Sequence, residues 1–262
     1  MSRLLLTLLV IALALPAHAA MVHQSVDYQL DDAHFVGMLI FDDAVKTQRP
    51  ALLMVPNWYG VNAAAVKKAE AIAAGDYVIF LADLYGKEVR PSNGDEARAA
   101  VGPLFKDRAM LRARINAALE ALRQQADSAP IDPKRIAAIG FCFGGTAVLD
   151  LARSGADVAA VVSFHGGLAS DDASLARNIK AAVLAMDGAD DEGTIADAPA
   201  FRTEMRQSPA DWQLVVFGHA VHCFTEVGVD SPGCRYDAKV AARSYQMMRQ
   251  WLDEAFAAGN DG

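Results

Sequence analysis

The stretch Ile136-Ala137-Ala138-Ile139-Gly140-Phe141-Cys142-Phe143-Gly144-Gly145 decides the fold. Ile136–Phe141 is an apolar, strand-like run, and Gly144–Arg153 reads as a helix. Between them lies a G-x-C-x-G turn. This is the strand–turn–helix order of a nucleophile elbow, with cysteine where serine is usual. In so tight a turn, the residues two before and two after the nucleophile crowd its backbone, hence Gly140 and Gly144. The side chain then stands above the sheet at a helix N-terminus, where the helix dipole favours a thiolate. The plain alternative is a buried structural cysteine beside a glycine turn. A dinucleotide loop would need G-x-G-x-x-G, which is absent.

Outward from the elbow, strands and helices alternate. Strands are predicted over Phe35–Phe41, Ala51–Val55, Tyr77–Ala82, Val158–Phe164, Ala181–Met186 and Trp212–Phe217. Helices are predicted over Asn62–Ala74, Leu104–Gln125, Ala198–Gln207 and Tyr236–Phe256. The pattern implies an α/β fold, a mostly parallel sheet with helices on both faces. Residues 86–103, rich in Gly, Pro and charge, read as a loop or cap excursion. No repeat or linker divides the chain, so residues 20–262 form one domain, with a frayed tail at Ala257–Gly262.

With 53% hydrophobic residues in 262, the chain can bury a large core. Its 32 acidic side chains outnumber 24 basic ones, and no basic cluster compensates, which argues against a nucleic-acid partner. Arg3, the apolar run Leu4–Leu15 and the small residues Ala17-His18-Ala19 read as a signal peptide over residues 1–19, cut before Ala20. The apolar run is shorter than the roughly 20 residues of a membrane span. A periplasmic or secreted bacterial protein, free of the membrane after cleavage and monomeric, is expected. An oxidising compartment favours disulfides, and three cysteines leave one over. Cys223 and Cys234 flank a turn and are predicted to pair, leaving Cys142 free. Pairing of Cys142 with Cys223 is the alternative.

A nucleophile needs a base. His222 follows the strand Trp212–Phe217 through a short loop, with His219 as its neighbouring rival. The acid should follow Ala181–Met186, where Asp187-Gly188-Ala189-Asp190-Asp191-Glu192 offers several carboxylates. G-x-x-D spacing selects Asp191, with Asp190 the alternative. The order nucleophile, acid, histidine is that of a Ser-His-Asp-type triad on an α/β sheet. The amide of Phe143 is one candidate oxyanion donor, and Trp58 or Asn57, after the strand Ala51–Val55, offers a second. Tyr59 and Tyr85 stand at strand ends where a pocket would open. His165, after Val158–Phe164, is either a pocket residue or a turn histidine satisfied by backbone.

These motifs resemble the dienelactone hydrolases, members of the α/β-hydrolase superfamily, over roughly residues 35–257. Gly140-Phe141-Cys142-Phe143-Gly144-Gly145 is the most specific mark. Asp83-Leu84-Tyr85, the G-x-x-D ending at Asp191 and His222-Cys223-Phe224 follow in matching order. The resemblance implies a triad of Cys142, His222 and Asp191, ester or lactone hydrolysis, and neither cofactor nor metal. Two departures argue against dienelactone itself. Family members that open it carry a glutamate after the third strand, where Asn57 stands here. They also clamp the substrate carboxylate with two arginines, and the matching positions hold Lys87 and Glu226, the latter repelling an anion.

The expected activity is therefore hydrolysis of small carboxylic esters, thioesters or lactones through an acyl-thioester. A catalytically silent binding protein and a thiol redox sensor are the alternatives.

Overall fold

A computed structural model of the protein describes residues 21–258; the expected signal peptide and the extreme C-terminal tail lie outside them. The elements are β1 (Met21–Leu30), β2 (Ala33–Asp42), β3 (Arg49–Val55), α1 (Ala63–Ala73), β4 (Val78–Leu81), α2 (Gly94–Lys106), α3 (Arg108–Arg123), β5 (Ile131–Phe141), α4 (Phe143–Arg153), β6 (Ala160–Phe164), β7 (Ala182–Gly188), α5 (Glu192–Ile195), α6 (Ala198–Met205), β8 (Trp212–Phe217), the short pair β9 (Asp230–Ser231) and β10 (Cys234–Arg235), and α7 (Ala238–Ala258). One 3-10 turn, Ala173–Asn178, precedes β7.

Eight strands form one sheet in the order β1-β2-β4-β3-β5-β6-β7-β8. From β4 to β8 every pairing is parallel; β1–β2 and β2–β4 are antiparallel. Successive side chains of a strand face opposite ways. Leu52 and Met54 accordingly join a core with Ile72 of α1 and Trp251 and Leu252 of α7, while Ala51, Leu53 and Val55 join one with Leu119 of α3 and Val148 of α4. Burial on both faces explains why the inner strands read as continuous apolar runs. The chain leaves β3 for β4 on one side and later enters β5 on the other. That reversal makes β3/β5 the topological switch point, the place where α/β sheets open a crevice at their C-terminal edge.

Two expectations need correction. The region 86–103 is not all loop. Asn93 caps α2, its side chain accepting from the amides of Asp95 and Glu96, while Glu96 Oε2 accepts from the Ser92 amide at 2.8 Å. This reciprocal capping starts a helix that glycine and proline obscured; Pro103 lies inside it. Nor is Leu104–Gln125 one helix. Asp107 ends α2 and caps α3 by accepting from the Met110 amide at 2.8 Å. Strand β1 was not foreseen, because exposed Gln24 interrupts the alternation in which Val22, Val26, Tyr28 and Leu30 face inward between exposed His23, Ser25 and Asp27.

Candidate active site

The elbow's geometry follows from its glycines. Cys142 has φ 54° and ψ −118°, a left-handed backbone that an L residue holds only under constraint. The constraint is packing. A Cβ at Gly140 would meet the Gly144 carbonyl oxygen at 2.0 Å, and one at Gly144 would meet the Val55 carbonyl oxygen at 2.1 Å. Backbone bonds fix the bend, from Cys142 N to Phe164 O (3.0 Å) and from Thr146 N to Cys142 O (3.2 Å). Cys142 is the one free cysteine among the described residues and is half-buried at the N-terminus of α4. The Phe143 amide, in the first turn of α4, has no acceptor within the helix.

Two loops bring the remaining groups. Asp191 follows β7 and His222 follows β8, and the loops are bonded together through Asp190 N to Ala220 O (3.0 Å) and Ala189 N to Phe217 O (2.9 Å). His222 Nδ1 lies 2.6 Å from Asp191 Oδ2. That leaves Nε2 for the thiol, and Cys142 stands near enough for its sulfur to raise the His222 pKa. The rivals fall away by exposure. His219 is fully exposed, at 101%, and Asp190 is 56% exposed, whereas Asp191 is 6% exposed. Burial pulls the His222 imidazole down, but its bond to Asp191 and the charges of Asp191 and Cys142 push it up to about 10. Burial opposes the ionised form of Asp191, and His222 outweighs it, holding the carboxyl below the usual carboxylate range.

Cys223 and Cys234 form a disulfide, which excludes pairing of Cys142 with Cys223. The bridge sits directly behind His222. His222 N donates to Gly233 O (3.1 Å) and Arg235 N to His222 O (2.9 Å), so the crosslink and the backbone bonds hold the histidine's own residue.

In the loop after β3, Tyr59 N donates to Asn57 Oδ1 (3.1 Å) and Gly60 N to Asn57 O (2.9 Å), while Tyr85 Oη donates to Trp58 O (2.9 Å). Tyr85 also stacks on Phe143 at 5.6 Å between centroids. It is set by Asp83, whose Oδ1 accepts from the amides of Tyr85 and Gly86. Tyr85 lines a cavity of about 530 Å³ between residues 88–91 and α2, with Leu104 and Arg114 on its walls.

His165 answers to neither expected role. It is fully buried, its Nε2 is 2.8 Å from Thr225 Oγ1, and its ring meets that of His222 edge-on at 5.0 Å. Burial, with the His222 and Lys68 charges, drives its pKa well down, so it is a neutral support behind His222. Lys87 is not brought to the site. It is surface-exposed, with Glu88 as its neighbour at 3.9 Å. Glu226 is not a lone negative charge. Its Oε1 is paired with Lys68 Nζ, and its Oε2 accepts from Asn57 Nδ2 at 3.0 Å.

Lys68 and Asp187 were missed. Lys68 lies on the buried stripe of α1 with Ala65, Ala69 and Ile72, and a lysine on an apolar stripe was the available signal. Asp187 is the one charged residue of β7 and is fully buried. Burial, with the Asp191 charge adding, pushes its carboxyl up to about 7.

The sheet order, the elbow at the end of β5 and the acid and histidine on the two following loops define an α/β-hydrolase fold with a triad-like constellation. The dienelactone hydrolase family model matches residues 35–256, and the chain belongs to that family. A dienelactone hydrolase-like promiscuous phosphotriesterase, P91, from metagenomic libraries superposes with a TM-score of 0.83 at 34% identity, covering 90% of this chain and 99% of that one. An uncharacterized protein of Caenorhabditis elegans is 35% identical over 161 residues, 56% of this chain and 95% of its own length. A protein named probable 2-oxo-3-(5-oxofuran-2-ylidene)propanoate lactonase, from Bradyrhizobium sp, is 32% identical over 124 residues. That match spans 47% of this chain and 48% of the lactonase.

Proposed function

We propose that this chain is a cysteine-dependent hydrolase of carboxylic esters, thioesters or lactones, with Cys142 as nucleophile, His222 as acid–base and Asp191 as the residue that orients and charges His222. The observation that carries the reading is the elbow cysteine at the N-terminus of α4 beside an imidazole that is bonded to Asp191 at 2.6 Å and raised by both neighbours. Family membership and the lactonase relative support the reaction class.

His222 holds a proton at neutral pH, and a protonated ring is the partner that a thiolate nucleophile requires. Sγ of Cys142 attacks the carbonyl carbon, and the carbonyl π electrons move onto oxygen. That oxyanion is bound by the Phe143 amide at the α4 N-terminus and by the amide of Trp58. Collapse of the tetrahedral species breaks the C–O bond, or the C–S bond of a thioester. The leaving alkoxide or thiolate takes its proton from His222. The acyl-thioester is then attacked by water, deprotonated by the now neutral His222. Carboxylic acid leaves, and the thiolate and imidazolium are restored. Asp191 keeps the ring in the tautomer and orientation both steps need. No step calls for a metal or cofactor.

The test is turnover of p-nitrophenyl acetate by wild type and Cys142→Ala, with mass mapping of the acylated residue. Loss of at least ~10³-fold in kcat is expected, with acyl adduct on Cys142 alone. Equal rates in the two proteins would end the reading. Residues 1–19 are read as an export address. A mature N-terminus at Ala20 in a periplasmic or culture-medium fraction is the expected finding, and an intact Met1 in the cytosol the contrary one.

A further inference from the structure

Within the site one carboxylate is already bound. Glu226 Oε1 is paired with Lys68 Nζ and lies 3.4 Å from Thr225 Oγ1; its Oε2 accepts from Asn57 Nδ2 at 3.0 Å. An ammonium, an amide and a hydroxyl around one carboxylate is the donor set that binds a carboxylate ligand. The two charged side chains are only 15% and 12% exposed, so water screens the pair little. The cradle also lies against the reacting group. Lys68 Nζ sits 4.1 Å from the centroid of Phe141, the residue before Cys142, and Asn57 precedes the Trp58 oxyanion donor.

We infer that Glu226 fills, from within the chain, the carboxylate-binding position that Lys68 and Asn57 create beside Cys142, and so makes the enzyme selective for esters whose acyl chains bear no charge. The inference rests on the hydrolase reading above. The charge count decides the sign. Lys68 and Glu226 cancel, as do His222 and Asp191, so neither pair leaves a free cation beside Cys142 for a substrate carboxylate; Lys87 is exposed, Arg90 is held by Asp83 at 3.1 Å, and Arg114 donates to the Leu84 and Tyr85 carbonyls. An incoming anion would have to displace Glu226 and leave a buried carboxylate unpaired.

Two esters that differ only in charge test this, mono-4-nitrophenyl succinate and its methyl ester. Wild type should prefer the neutral ester by at least about tenfold in kcat/KM. Glu226→Gln keeps the shape, removes the negative charge and frees Lys68. The anionic-to-neutral ratio of kcat/KM should then rise at least about tenfold, mainly through KM for the anionic ester. In Glu226→Gln/Lys68→Met the gain should vanish. A wild-type ratio near one overturns the inference without any variant, as does a ratio unmoved by Glu226→Gln. If wild type hydrolyses neither ester nor p-nitrophenyl acetate, the hydrolase reading falls and this inference with it. Turnover with the wrong ratios removes the inference alone.

Discussion

Two buried polar clusters flank the elbow helix, and they are built differently. On the far side of α4, Arg153 donates Nε and Nη2 to the two Glu204 oxygens, each at 2.8 Å, and Nη1 to Asp150 Oδ1 at 3.2 Å. Arg108 closes on the same Asp150 with bonds of 2.7 and 2.8 Å. Every donor nitrogen of Arg153 and both oxygens of Asp150 are used. Around His222 and Asp191, by contrast, both Asp187 oxygens and His165 Nδ1 are buried without a hydrogen-bond partner among the described residues. Unpaired buried polar atoms are costly, so a native fold rarely keeps them idle. The satisfied cluster locks α3, α4 and α6 together. The unsatisfied one sits beside His222 and Asp191.

The comparison can be broken or sharpened by substitution, in descending size of effect. Asp191→Asn removes the carboxylate that sets the His222 tautomer and charge. Steady-state kinetics should show kcat lowered by about 10⁴-fold, with the melting temperature little changed. An effect on stability instead of rate would make Asp191 a structural residue. Arg153→Met should do the reverse. It strands the buried Glu204 carboxylate, a loss of about 3–5 kcal/mol in denaturant unfolding, while kcat per folded molecule holds. If rate falls and stability does not, the division between the clusters is wrong. Opening the disulfide with Cys223→Ser/Cys234→Ser returns entropy to a short loop and should lower stability by about 2–3 kcal/mol in the same assay.

The last effect is read as a slope, at most about 1.4 kcal/mol per pH unit. The Asp187 carboxyl is raised to about 7 in the fold, against about 4 unfolded. Between those values the unfolded chain has released a proton that the folded one keeps, so Asp187's contribution is complete at low pH and is lost as pH rises through about 7. Asp187→Asn should flatten the fall in stability between pH 4 and 7. A slope identical to wild type would show that Asp187 is ionised throughout. The alkaline side belongs to His222, raised to about 10, and kcat/KM should decline as pH climbs through that value.

Much of this was legible in the chain. Gly140 and Gly144 bracket Cys142 at fixed spacing because backbone contact there is a local matter, and the spacing alone located the elbow. Apolar runs located the inner strands because both their faces are buried. Capping escaped notice at Asn93 and Asp107, since glycine and proline nearby suggested a loop and a continuous apolar pattern hid the break. Lys87 and Glu226 were read by position in a motif, but position does not say where a long side chain turns.

The sequence by itself determined the elbow and the parallel α/β order, and it favoured pairing Cys223 with Cys234 without fixing it. Those follow from contacts close along the chain or from a period of burial. Only the tertiary structure paired His222 with Asp191 and left His219 and Asp190 exposed to water. It alone joined Lys68 to Glu226 across 158 residues. These are questions of which side chains meet and which water reaches. Exposure and pairing of that kind exist only once distant loops have been brought to the same end of the sheet.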